Sequence, residues 1–218
     1  MNAGKAERPG RWAAGGLVLA LLAGPAMGRG AADADGGDWS ASASLLYVEG
    51  GEVPARIRGA NPDGVAVARG DDQRIGLRLS GAWHWRARWS LEAAWVGLGD
   101  ADARLGGSGA TDDQVLEAAE DLHPQTAYGI ALGLLRHWDT GTPIRLAAGG
   151  GAWTWRSEWS VSTVGGSRDY HRTGTDLFAT VAADVSVHES MRLRGRWDRY
   201  RLEAGEVDSF GVGLLYRF

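Results

Sequence analysis

Apolar and polar residues alternate with a period of two through most of the chain after residue 38. The alternation is clearest in the last ten residues, SFGVGLLYRF, where every second position is apolar. A period of two is that of a β-strand with one apolar face. The end of a soluble chain is usually polar and poorly ordered, so this pattern predicts an ordered terminal strand.

The same period divides the chain into eight segments of strand type. Each is about ten residues long, the length of a tilted strand that crosses a membrane. The segments are Asp38–Val48, Arg74–Trp85, Arg88–Leu98, Ala127–Trp138, Ile144–Trp155, Asp176–Val187, Met191–Tyr200 and Ser209–Phe218. In the fifth segment, Gly149–Gly151 removes the alternation, which leaves its two faces unassigned and predicts a bulge or bend.

The connections between these segments alternate in length. Short links fall at 86–87, 139–143 and 188–190, and longer ones at 50–72, 99–125, 156–172 and 201–208. An even number of strands, with short turns at one end and long loops at the other, is the layout of a bacterial outer-membrane barrel. We therefore predict an all-β fold, an eight-stranded antiparallel transmembrane β-barrel with short periplasmic turns and long extracellular loops.

Whether the apolar face of each strand points outward or inward depends on whether the barrel lies in lipid or in water. In lipid every backbone group must pair internally, so the sheet closes and its apolar face points outward. A soluble barrel would bury the same apolar residues, and periodicity leaves both arrangements open. Tryptophans favour the membrane, since they lie near strand ends where an aromatic girdle would contact the lipid interface. These residues are Trp39, Trp83, Trp85, Trp89, Trp138 and Trp197.

The first residues have the pattern of an export signal. Basic residues at Lys5, Arg8 and Arg11 precede the short apolar run Trp12–Gly24, and small residues follow it. This predicts a cleaved secretory signal peptide over 1–28, with a retained anchor helix as the alternative. The predicted organisation is then the signal peptide, a short N-terminal segment over 29–38, and the outer-membrane β-barrel domain over 39–218.

Composition narrows the function further. The chain has no cysteine, so no disulfide stabilises it after export. Its formal net charge of −4 argues against nucleic acid as a partner.

The C-terminal half resembles the OmpA-type family of eight-stranded transmembrane barrels. The similarity lies in MRLRGRWDRYRL (191–202), VDSFGVGLLYRF (207–218) and RLAAGGGAWTWR (145–156). It implies that the terminal aromatic strand, with Phe210, Tyr216 and Phe218, is the signal recognised by the outer-membrane assembly machinery. The sequence ends at the barrel, so the peptidoglycan-binding domain of full-length OmpA is not expected, and the smaller OmpX-like and opacity-type relatives are closer in size.

Charged residues on the polar face would point into the barrel. An eight-stranded barrel is only wide enough for side chains to fill it, and isolated buried ions are costly, so these charges must pair. The predicted interior network consists of Arg74, Arg78, Glu92, Asp176, Asp184, Arg192, Arg194 and Arg196, with Asp198 on the same face. We expect Glu92 to pair with Arg78 or with one of Arg192, Arg194 and Arg196. A narrow porin-like channel is the alternative.

No catalytic, cofactor-binding or metal-binding residues are predicted. The histidines are scattered without metal-ligand spacing. His188 and Ser190 fall in a short turn and do not match the lipid-facing Ser–His pair of lipid A-modifying barrels.

Two loop features have possible surface roles. Asn61–Gly64 predicts a hairpin in the first long loop. The same loop contains the tripeptide Arg69–Asp71, which is known from integrin ligands but is frequent by chance, so adhesion through it is only the alternative. Thr111–Leu122 predicts a short acidic helix, with cation bridging to lipopolysaccharide as the alternative.

The sequence as a whole predicts a small outer-membrane barrel with a structural, surface-interaction role. Its predicted partners are outer-membrane lipid, lipopolysaccharide and the assembly machinery, and its extracellular ligand is left open. Besides the channel, the alternatives are an exported soluble lipocalin-like binding barrel and a lipid-modifying enzyme.

Overall fold

The structure, a computed structural model, describes residues 38–50, 66–70, 73–86, 88–99, 103–106, 126–163, 166–202 and 205–218. The described residues form ten β-strands. They are β1 (Asp38–Gly50), β2 (Ala66–Gly70), β3 (Gln73–Arg86), β4 (Trp89–Gly97), β5 (Ala103–Gly106), β6 (Tyr128–Asp139), β7 (Ile144–Thr163), β8 (Gly166–Ser186), β9 (Met191–Leu202) and β10 (Gly205–Arg217). Within these ranges no helix is long and apolar enough to cross a membrane. The predicted signal peptide, residues 29–37 and the predicted helix Thr111–Leu122 lie outside them.

Eight of the strands close into one antiparallel barrel in the order β1-β10-β9-β8-β7-β6-β4-β3. The barrel closes where β1 pairs with β10 on one side and with β3 on the other, as in Ser40↔Arg217 and Ser40↔Ala82. The amide of Phe218 extends this seam by donating to the carbonyl of Trp39 at 2.9 Å. The predicted all-β fold, an eight-stranded antiparallel barrel, is confirmed, and each of the eight predicted segments forms a barrel strand.

A second, two-stranded sheet was not predicted. It pairs β2 with β5, and these strands come from the first two long links. Arg69 and Gly70 lie in β2, opposite Arg104 and Ala103. The predicted hairpin turn at Asn61–Gly64 and Asp71 lie outside the described residues.

The predicted loop over 156–172 is wrong, because most of these residues are paired strand. β7 and β8 pair continuously from Ile144↔Val185 to Thr163↔Gly166. The pairing of β7 with β6 ends at Arg156, and that of β8 with β9 ends at Phe178. The outer part of this hairpin is therefore a two-stranded ribbon that continues past the barrel wall. The sequence predicts a loop here because a ribbon outside the membrane does not require an apolar face. The predicted link over 201–208 is also shorter, since β9 continues to Leu202 and β10 begins at Gly205.

The three glycines of β7 produce no bulge. The register with β6 and β8 is unbroken through Gly149–Gly151, and odd-numbered residues point inward on both sides of them. The predicted bulge is therefore wrong, and the face of the fifth predicted strand is assigned. A Cβ on Gly151 would meet the carbonyl oxygen of Leu132 on β6. The glycines thus permit close approach of neighbouring strands instead of a break in the pairing.

Candidate functional site

The barrel is apolar outside and charged inside. Ile75 and Leu45 on the outer wall are 70% and 65% exposed, whereas Glu92 on the inner wall is 2% exposed. A soluble barrel has the opposite arrangement, so the lipocalin-like alternative conflicts with the structure. The exposed apolar side chains belong to all eight barrel strands and include Leu77, Leu91, Ile130, Leu132, Leu134, Leu146, Leu177, Val181, Leu193, Val212 and Leu214.

Tryptophans form a cluster on the outer wall at the short-turn end. Trp39 lies directly opposite Trp83, whose ring centroid is 5.8 Å from that of Trp85. On β4 and β6, the Arg136 guanidinium lies 5.9 Å from the ring of Trp89 and 5.3 Å from that of Trp138. An interfacial belt of a membrane barrel has this composition, aromatic with a basic residue between the rings.

Trp197 differs from its predicted position near a strand end. It lies within β9, opposite Phe210, which in turn lies opposite Tyr47. Tyr47 is eight residues after Trp39 on β1, about 26 Å along the strand. Because strands of such barrels are tilted by about 35–45°, this length covers about 19–22 Å of membrane height and places a second aromatic group near the other edge of an apolar band about 25 Å tall. Strand end and band edge do not coincide here, because β9 continues beyond the band.

Glu92 is the centre of the interior ion pairs. One carboxylate oxygen of Glu92 accepts from Arg78 Nη2 at 2.5 Å. The other accepts from Arg194 Nη1 at 3.4 Å, and Arg196 Nη2 lies 3.5 Å from the carboxylate. The partners of Glu92 are thus Arg78, Arg194 and Arg196. Arg192, which sequence reasoning left open, is not among them.

The network continues along β8 and β9. Arg194 donates two hydrogen bonds to Asp184, at 2.7 and 2.9 Å. Arg196 donates two to Asp198, both at 2.8 Å, and one to Thr180 at 3.0 Å. Paired, hydrogen-bonded charges of this kind are the form in which ions can remain buried.

The other predicted network residues lie outside these contacts. Asp176 is only half-buried and accepts a hydrogen bond from Trp155 Nε1 at 2.8 Å. Arg192 is half-buried near the short-turn end. Arg74 is buried on the inner face of β3.

An apolar cluster fills the interior on the long-loop side of the ion pairs, and sequence reasoning missed it. Tyr200 joins the two regions, since its hydroxyl accepts from Arg78 Nη1 at 2.7 Å while its ring lies 4.8 Å from Trp153 and 5.8 Å from Phe178. A signal was present, because the inward positions change from polar to apolar along several strands, from Ser44 to Leu46 for example. The buried members are Leu46, Val48, Ala94, Val96, Leu98, Ala127, Ala131, Trp153, Trp155, Phe178, Tyr200, Leu202 and Val207.

Two contacts inside the barrel, one in the ion-pair network and one with the apolar cluster, join opposite walls. β4 and β9 are four positions apart in the ring of eight strands, and Glu92 meets Arg194 between them. β3 and β8 are also four positions apart, and the Arg78 guanidinium lies 5.7 Å from the Phe178 ring centroid. Side chains therefore span the whole width of the interior.

Two histidines meet inside the short-turn end, although they are distant in the sequence. The rings of His84 on β3 and His137 on β6 are 5.2 Å apart. His84 Nε2 lies 3.0 Å from Ser40 Oγ, and His137 Nε2 lies 2.8 Å from Ser90 Oγ. Spacing in the sequence could not reveal this pair, because β4 separates the two strands. Among the described residues, no group of three or more His, Asp or Glu side chains is arranged to hold a metal ion.

The predicted assembly residues lie on the outer wall. Phe210, Tyr216 and Phe218 are all exposed, and the rings of Tyr216 and Phe218 meet edge to face at 5.1 Å. Their recognition by assembly machinery stays a prediction. His188 and Ser190 occupy the turn between β8 and β9, where His188 and Met191 exchange backbone hydrogen bonds.

Comparison with known proteins supports the fold. No protein-family model matches the sequence, and neither does any curated protein. Neisserial surface protein A (NspA) has a similar solved structure, with a TM-score of 0.52, 12% identity, and coverage of 83% of this chain and 97% of NspA. The outer membrane protein OprG of Pseudomonas aeruginosa gives 0.52 at 11% identity, covering 84% and 97%. The N-terminal barrel domain of OprF from the same organism gives 0.50 at 12% identity, covering 84% and 99%. The predicted resemblance is thus confirmed as one of fold.

Proposed function

We propose that this protein is a small outer-membrane β-barrel with a packed interior, which serves as a structural and surface-interaction component of the Gram-negative cell envelope. The observation that supports this most directly is the apolar outer wall around a charged inner one. So large an exposed apolar surface requires lipid or a partner to cover it.

The aromatic clusters and the structural neighbours support the same location. Aromatic residues mark both edges of the apolar band, as in other membrane barrels. OprG is described as an outer membrane protein, and NspA as a surface protein. Outer-membrane lipid and lipopolysaccharide are therefore the proposed contacts of the outer wall, reached after removal of the signal peptide and insertion by the assembly machinery.

A structural role is favoured over conduction by the contacts across the interior. The pairs Glu92–Arg194 and Arg78–Phe178 join opposite walls. Surface interaction is assigned to the parts beyond the barrel, which are the outer ribbon of β7 and β8 and the sheet of β2 and β5. The chemistry of the extracellular ligand is left open.

Cell fractionation combined with gel mobility tests this proposal. The protein should pellet with outer membranes and require detergent for extraction. A closed barrel should also resist SDS until it is boiled and then shift in mobility. A protein found in the soluble periplasmic fraction, with the same mobility boiled and unboiled, would refute the membrane assignment.

A further inference from the structure

The histidine pair lies in a small cavity at the short-turn mouth of the barrel. The volume of this cavity is about 10 Å³, enough for one water-sized sphere. Its lining combines two imidazoles with four guanidinium groups and one carboxylate, from Ser40, His84, His137, Arg145, Asp184, Arg192, Arg194, Leu215 and Arg217.

Each imidazole has one ring nitrogen without a partner in the described structure. The Nε2 atoms of His84 and His137 bond to serine hydroxyls, while both Nδ1 atoms are buried and make no hydrogen bond. His137 is 2% exposed, so bulk water does not satisfy its Nδ1. Buried polar atoms are rarely left unmatched, and this indicates that the cavity holds a small polar species.

The charged groups around the cavity indicate whether the bound species is a cation or an anion. The other three lining arginines each form an ion pair: Arg194 with Asp184 and Glu92, Arg217 with Asp38 and Arg145 with Asp139. Arg192 makes no ion pair within the described part of the chain, and the cavity lining itself has four guanidinium groups against one carboxylate, so positive charge predominates there. A metal cation would be repelled there, and an anion would be attracted.

The two histidines can adopt tautomers that suit a bound anion. When each serine hydroxyl donates to Nε2, the neutral imidazole carries its proton on Nδ1. His84 and His137 then present two N–H donors to the cavity that Arg192 also lines. Donors and a surplus guanidinium together form a site suited to an anion.

We propose that this cavity binds one small inorganic anion of the halide class, such as chloride. Nδ1–H of His84 and of His137 donate to it, and the Arg192 guanidinium supplies the balancing charge. The cavity has room for about one water-sized sphere, which favours a monatomic halide, only slightly larger than water, over phosphate or sulfate with four oxygens around a central atom. The site is a property of the barrel interior and goes beyond the proposed structural role.

Bromide provides a direct probe. Crystals of the refolded protein without its predicted signal peptide, grown with sodium bromide and measured at the bromine absorption edge, should show an anomalous peak in the cavity beside the two Nδ1 atoms. The peak should be absent in His137→Phe. The absence of a peak in the wild-type protein, or density for water alone, would overturn the proposal.

A titration in detergent micelles keeps the proposal testable without crystals. Sodium chloride replaces sodium gluconate at constant ionic strength, and Tm is followed. The wild-type Tm should rise by about 2–4 °C and reach a plateau below 0.1 M chloride. Arg192→Gln, at a half-buried position, should require about tenfold more chloride for the same rise.

Arg199→Gln is the matched control. It removes an exposed guanidinium that is paired with Asp208, distant from the cavity. Its chloride response should equal that of the wild type. A Tm that does not depend on chloride, a response without a plateau, or an equal loss in Arg199→Gln and Arg192→Gln would each overturn the proposal, because only nonspecific screening would then remain.

Discussion

Glu92 is almost completely buried and has guanidinium groups of three arginines within 3.5 Å. These contacts come from strands on both sides of the barrel, so one carboxylate balances charge that the sequence distributes over β3 and β9. Removing one member of a buried ion pair leaves its partners charged and unmatched, which costs more than the pair itself contributes.

Glu92→Ala should therefore lower the free energy of unfolding by about 3–5 kcal/mol. Urea titration of barrel refolded into detergent micelles or vesicles measures this change. Glu206→Ala is the control, since Glu206 is exposed and pairs at 3.3 Å with the exposed Arg199. Equal stability of Glu92→Ala and the wild type would mean that water reaches Glu92.

Glycines on the barrel strands differ in how much space surrounds them. A Cβ on Gly151 would collide with the backbone of β6, whereas a Cβ on Gly81 would meet no atom within 4 Å. Gly151→Ala should lower stability by about 1–3 kcal/mol through overpacking. Gly81→Ala should be neutral or slightly stabilising. The same urea titration compares the two, and equal effects would contradict the close packing of β6 against β7.

At the scale of the elements, the hairpin of β7 and β8 has an inner part that belongs to the barrel wall and an outer ribbon that extends beyond it. Arg156 is the last residue of β7 that pairs with β6, and beyond it the two strands pair only with each other among the described residues. The barrel should not depend on the outer ribbon, because its closure uses only the inner part of each strand.

Deletion of 159–170, with Asn-Gly joining Glu158 to His171, should leave a folded, heat-modifiable barrel. A two-residue Asn-Gly turn suits a hairpin, and the cut preserves the pair Glu158↔His171. Gel mobility and Tm are the measurements, and Tm should change by only a few degrees. Loss of the folded band would show that the ribbon is required for barrel formation.

A change in the terminal strand can distinguish a role of Phe218 in membrane assembly from its contribution to the stability of the folded barrel. Phe218 is 67% exposed, and its amide makes one hydrogen bond to Trp39. Its deletion should reduce stability in vitro by only about 0.5–1.5 kcal/mol, the net value of a typical hydrogen bond. If Phe218 is an assembly signal, the amount of barrel in the outer membrane should fall severalfold while export is unchanged.

Quantitative immunoblotting of membrane fractions, compared with urea titration of the same variant, distinguishes the two roles. Val187→Ser is the matched control, because Val187 is an exposed apolar residue outside the terminal strand. Normal membrane levels after deletion of Phe218 would show that the terminal aromatic residue serves only as lipid-facing surface.

At the scale of the whole molecule, the interior is divided into a polar region and an apolar region, joined at Tyr200. Both regions contain contacts between opposite walls. Eight strands enclose just enough space for side chains to fill, and here the side chains meet across it.

The wild-type protein should consequently show very low conductance in planar bilayers. The double variant Glu92→Ala/Arg194→Ala removes one contact between opposite walls and should increase conductance if it still folds. Large, stable conductance steps in the wild type would refute the packed interior and favour the channel alternative.

Sequence alone predicted the eight barrel strands, the residues on most of their faces and the antiparallel order. This was possible because the period-two pattern is local, so each strand can be read without reference to the others. The same pattern left the faces of β7 unassigned, since glycines have no side chain from which to read a face.

Only the tertiary structure decided which inward residues meet. The outward extension of β7 and β8 gave no pattern to read, because a ribbon outside the membrane requires no apolar face. The pairing of Glu92 with Arg78, Arg194 and Arg196 and the contact of His84 with His137 were not determined by the sequence pattern either, and they have a different cause. These contacts inside the barrel depend on how far each strand is shifted against its neighbour when the sheet closes. That stagger is a property of the whole barrel, and it sets which side chains from opposite walls share one level.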